Sequence, residues 1–133
     1  MPRDKTRASR LTAVNGGTLI ARPRVEDMSE PPVHPGEVLL EDFLNPLGLT
    51  QTAFAARLRI PLQRLNDLIR ARRGVTPDTA LRLARALGTS AELWLNLQEV
   101  WDLWQASHSS AVDDIAAIEP LPRDRSGALR ATA

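Results

Sequence analysis

Gln63, Arg64, Asn66 and Arg70 fall within one eight-residue stretch, with Leu65, Leu68 and Ile69 set between them. Planar amide and guanidinium groups hydrogen-bond the edges of bases in the major groove, Arg suiting guanine and Asn or Gln suiting adenine. Leu62 and Asp67 share the same outward positions, and Arg72 and Arg73 follow where a loop would pass a phosphate. Other chemistries have less to work with. There is no cysteine, which excludes a disulfide framework, a thiolate zinc site and a Cys nucleophile. His34 and His108 lie far apart, so neither a metal centre nor a cofactor is expected, and His34 reads as a helix cap. Asp67 and Asp78 lack a partner base, and no nucleophile–base pair or phosphate loop is visible, so an enzyme is not expected.

Charge supports the same stretch. The 133 residues carry 17 Lys+Arg and 16 Asp+Glu, a net of +1, which announces neither nucleic acid nor membrane as a partner. The distribution is nevertheless polarised. Residues 57–85 hold eight Arg against Asp67 and Asp78, a net of +6. Residues 34–56 carry Glu37, Glu41 and Asp42, and residues 86–107 carry Glu92, Glu99 and Asp102, each −3. A helical bundle with a solvated arginine face would share much of this pattern.

The elements that must position these side chains read as five short helices. Their start and stop signals are plain. The first is expected from Pro35 to Asn45, ended by Pro46 and Gly48, with Val38, Leu39, Phe43 and their neighbours inward. The second follows the Thr50 cap and covers Gln51–Leu58, with Phe54, Ala55 and Leu58 on one face. After the break Arg59-Ile60-Pro61, the third spans Leu62–Arg70. The fourth starts at Thr76-Pro77 and ends at Gly88, with Ala80, Leu81, Leu83, Ala84 and Leu87 as its buried face. The fifth runs from Ser90 to about Gln105. Two short helices around a three-residue break suggest helix-turn-helix. The fifth helix is apolar over a wide face, and Trp94, Leu97, Val100, Trp101 and Trp104 are the expected dimer contacts.

All five aromatic residues lie between Phe43 and Trp104, so the domain is placed at 33–107. Residues 1–32 are expected to be a flexible extension and 108–133 a second tail, of which Val112–Ile118 is apolar enough to dock. No apolar run approaches the roughly 18 residues of a membrane span, and no secretory signal is visible, so a cytoplasmic protein is expected.

The segments His34-Pro35-Gly36-Glu37, Leu49-Thr50-Gln51, Leu65-Asn66-Asp67-Leu68-Ile69, Arg73-Gly74-Val75-Thr76-Pro77-Asp78 and Trp94-Leu95-Asn96-Leu97-Gln98 resemble the HigA-type antitoxins. These form a branch of the xenobiotic-response-element (XRE, Cro/CI-like) helix-turn-helix family. The resemblance implies an all-α, lambda-repressor-like domain acting as a homodimer on an inverted repeat of double-stranded operator DNA. It implies repression of its own operon and neutralisation of a HigB-type toxin, a RelE-like mRNA endonuclease. Gln51, with Thr52 beside it, would bond phosphate, and Leu62, Gln63, Arg64 and Asn66 would read bases. Three positions depart from the wider family: Arg59 stands where Gly is frequent, Pro61 where a Ser-like cap is usual, and Leu62 where a polar reader is common. Leu62 suits a thymine methyl instead. A repressor acting without a toxin is the alternative; a protein-interaction module that ignores DNA is a third reading.

Overall fold

The computed structural model describes residues 25–132. Most of the expected extension, residues 1–24, therefore lies outside the described residues; its remainder forms a short 3-10 turn, Val25–Asp27, against the last long helix, and Pro32 is buried. Six helices follow among the described residues. The first, α1, spans 35–47: α-helical over Pro35–Val38, wider and π-helical over Leu39–Leu44, and α-helical again over Asn45–Leu47. Then come α2 (Gln51–Leu58), α3 (Leu62–Ile69), α4 (Pro77–Leu87), α5 (Ala91–Ser107) and a short α6 (Val112–Ala116). No helix among the described residues is long and apolar enough to cross a membrane.

Capping explains where the helices begin. The side chains of Thr50, Thr76 and Ser90 accept hydrogen bonds from the backbone amides of Ala53, Thr79 and Leu93. His34 does the same through Nδ1, which accepts from the Gly36 amide at 2.9 Å. One helix end differs from expectation. α1 continues through Pro46 because the preceding turn is π-wound: the Asn45 amide reaches back five residues to the Leu40 carbonyl. A widened turn shifts the bonding frame so that proline, which has no amide hydrogen, starts a new α turn. The chain reverses only at Gly48.

Trp94, Phe54, Leu39, Leu44, Leu65, Leu68 and Leu83 form the centre of the core, drawn from all five long elements. Helices of eight residues do not persist alone, so α2 and α3 depend on this packing. Three expectations are corrected here. Leu81, assigned to the buried face of α4, is 64% exposed, since it sits a third of a turn away from the Ala80–Leu83 stripe. Trp94 and Leu97 are core residues of the single chain, 0% and 5% exposed, so a second subunit does not reach them. The Val112–Ile118 stretch forms α6 yet stays exposed throughout and does not dock.

Candidate nucleic-acid interface

Helix α3 is held from behind at three places. Leu65 and Leu68 are buried in the core. Its C-terminal end rests on α1 at Gly36, where an added Cβ would lie 1.9 Å from the Leu68 carbonyl oxygen, so only glycine permits the approach. The loop after α3 is pinned to α5: the buried Gln98 accepts from the Val75 amide at 2.8 Å through Oε1 and donates to Asp102 at 2.9 Å through Nε2. Gly74 makes room for that amide, since a Cβ there would come within 2.9 Å of it. The motif residues Gly36, Gly74 and Gln98 thus act on the placement of α3 without being at its exposed face.

The turn into α3 has a left-handed residue, Arg59 (φ 59°, ψ 44°), followed by buried Ile60. An L-residue there costs roughly 1–2 kcal/mol relative to the right-handed region. Arg82 of α4 offsets part of this strain by donating through Nη1 to the Leu58 and Arg59 carbonyls, at 2.9 and 3.4 Å. Arg82 also bonds Asp78 at 2.9 Å, and Arg64 bonds the same carboxylate at 2.8 Å together with the Thr79 hydroxyl. These two arginines, Arg82 foremost, hold the Asp78 carboxyl below its usual range. Arg64, expected as a base reader, is therefore tied into a brace between α3 and α4. Asp78–Arg82 has the i, i+4 spacing that a sequence displays; Arg64 lies fourteen residues from Asp78 and gave no such sign.

The remaining expected residues come together on one surface. Asn66 Nδ2 donates to Gln51 Oε1 at 3.1 Å, joining the start of α2 to the outer face of α3. Thr52 is exposed one residue further on. Gln63 donates to Asp67 at 2.8 Å along α3, and Leu62 is 45% exposed at its tip. Pro61 provides no side-chain cap, so the first amides of α3 open onto this surface. After α3 a second left-handed residue, Ala71 (φ 59°), closes the helix with bonds from the Ala71 and Arg72 amides to the Leu68 and Asp67 carbonyls. That turn leaves Arg70, Arg72 and Arg73 exposed, with no ion pair among the described residues. Among the described residues no group of three or more His, Asp or Glu is placed to hold a metal.

The expected pairing residues on α5 are split. Trp101 is half-buried with its ring edge-on to His34, centroids 5.0 Å apart. Trp104 stacks on His108 at 4.0 Å, and Val100 is half-buried beside them.

Two braced helices with a polar outer face and an arginine rim define a helix-turn-helix regulator of the DNA-binding class. The helix-turn-helix family profile matches residues 40–94. Virulence-associated protein I of Dichelobacter nodosus is 44% identical over 71% of this chain and 85% of its own length. Antitoxin HigA-1 of Vibrio cholerae is 42% identical over 68% of this chain and 84% of its own. Among solved structures, the Pseudomonas aeruginosa antitoxin HigA with the higBA promoter is 37% identical over 68% of this chain and 99% of that one, with a TM-score of 0.65. The chain belongs to the HigA-type antitoxins of the XRE helix-turn-helix family.

Proposed function

We propose that this chain binds operator DNA as a homodimer, represses its own operon and neutralises a HigB-type, RelE-like mRNA endonuclease in the cytoplasm. The observation that carries the DNA reading is the outer face of α3. Leu62, Gln63 and Asn66 project from a helix whose other side is buried, beside Gln51 and the exposed Arg70, Arg72 and Arg73, which have no ion pair among the described residues. Gln51 and Thr52 would meet phosphate, and Leu62, Gln63 and Asn66 would meet bases, with Asp67 orienting Gln63. Arg64 reaches DNA only by leaving both the exposed Asp78 carboxylate and the buried Thr79 hydroxyl. The solved HigA recorded with its promoter supports this use of the fold.

One chain presents one reading helix. A dimer would set two of them about 34 Å apart, one turn of B-DNA, on an inverted repeat. Val100, Trp101 and Trp104 are the pairing residues left accessible on α5. The domain at 33–107 would act alone in DNA binding. The toxin role rests on the family, whose Vibrio cholerae member is named an antitoxin. Co-expression with the reading frame adjacent to this gene tests it. The neighbour should arrest growth alone, and this chain should restore growth and co-purify with it. A harmless neighbour that does not co-purify, with promoter binding intact, would leave a repressor without a toxin.

A further inference from the structure

We propose that residues 112–121 form a docking segment that seats in the arginine-lined groove between α2 and α4 of a second copy of this chain. The segment lies outside the family match at 40–94. It carries Val112, Ile115, Ile118 and Leu121 at a spacing of three, respectively 42, 52, 68 and 54% exposed. Asp113, Asp114 and Glu119 lie between them, with no basic residue. The segment leads into a turn bonded to itself: the Arg130 amide reaches the Pro122 carbonyl at 2.8 Å, and Asp124 accepts from the Ser126 and Ala128 amides. An apolar, acidic stripe is thus exposed among the described residues and available to a groove on another copy.

The groove has the matching chemistry. It encloses about 600 Å³ and is lined by Arg57, Arg59, Arg82 and Arg85, with Asp78 the sole acid and Leu81 exposed among them. Arg82 and Asp78 are engaged in the brace, whereas the guanidinium groups of Arg57, Arg59 and Arg85 have no hydrogen bond or ion pair among the described residues. Three guanidinium groups with no partner among the described residues, set around an exposed leucine, complement three carboxylates around an apolar stripe. Opposite charge placed across a partly apolar contact selects the partner and its register. Two copies that each seat this segment in the other's groove close as a pair, whereas one-way seating continues head to tail.

The test uses the full chain without DNA, so its outcome does not depend on operator binding. A fluorescent peptide of residues 110–122 is titrated into full-length chain carrying Ile115→Asp and Ile118→Asp, whose own segment is disabled. Saturable binding is expected, weakened about tenfold or more by added salt and by Arg57→Glu with Arg85→Glu. A peptide with Asp113→Arg, Asp114→Arg and Glu119→Arg should bind only the glutamate-bearing receptor. Circular dichroism checks that each receptor is folded, and if the glutamate receptor is not, the salt series and the reversed peptide on the first receptor decide. In sedimentation, the unaltered chain should gain mass with concentration beyond the Ile115→Asp, Ile118→Asp chain. Absence of saturable binding, binding indifferent to salt and to charge reversal, or equal masses for the two chains overturns the proposal.

Discussion

Two polar side chains, His34 at the start of α1 and Gln98 on α5, turn inward, whereas most of those on α3 and the following loop turn outward. His34 and Gln98 are buried; His34 accepts the Gly36 amide at the start of α1, and Gln98 accepts the Val75 amide of the loop after α3. Leu62, Gln63, Arg70, Arg72 and Arg73 are exposed, and the last three have no partner within the described residues. Burial of a bonded polar group specifies geometry, because a misplaced helix would leave the group unsatisfied. Exposure of an unpaired one leaves its hydrogen bonds for a ligand. Placement and recognition therefore rest on different side chains and should be separable by substitution.

The largest expected effect falls on the scaffold side. Gly36→Ala forces α1 away from the Leu68 carbonyl and should cost about 3 kcal/mol in thermal unfolding. An unchanged Tm would remove the contact on which the position of α3 rests. On the exposed side, Asn66→Ala should cost roughly 1–3 kcal/mol of operator affinity and relax preference at one base pair. A loss shared equally by all sequences would make Asn66 a backbone contact. Arg72→Ala with Arg73→Ala should weaken binding to every duplex and reduce the salt slope by about two units, with Tm nearly unchanged. A large fall in Tm would erase the distinction between the two sides.

The smallest effect concerns pH. Burial holds the His34 imidazole below its ordinary value of 6.5, against the raising influence of Asp102 and Glu37. The fold thus favours the neutral ring, which accepts the Gly36 amide. Its contribution is complete above pH 6.5 and declines as pH falls toward the lowered folded value. Tm should drop between pH 7 and 5, and His34→Asn, a cap that does not titrate there, should flatten the drop. An identical pH profile for that variant would assign the dependence to other groups.

Much of this arrangement was legible in the residues. Thr50, Thr76-Pro77 and Ser90 mark helix starts because capping is local, and the bounds of α2 to α4 follow within a residue. The continuation of α1 through Pro46 was not, since a π-wound turn leaves no trace in apolar spacing. Trp94 and Trp101 lie on one apolar face, and nothing in that face says which ring the chain keeps for its own core. The outer face of α3 was anticipated from its amide and guanidinium groups. The tethering of Arg64 to Asp78 and Thr79 was not, because it depends on how α4 crosses α3. Ala71 gave no warning either, as alanine seldom adopts a left-handed conformation.

Hydroxyl-radical footprinting of the full chain on the DNA upstream of its own gene tests the central claim most directly. Two protected patches about 34 Å apart are expected at low ionic strength, lost when Asn66, Arg72 and Arg73 are replaced together by alanine. No protection at low ionic strength, or protection that survives those replacements, would contradict it.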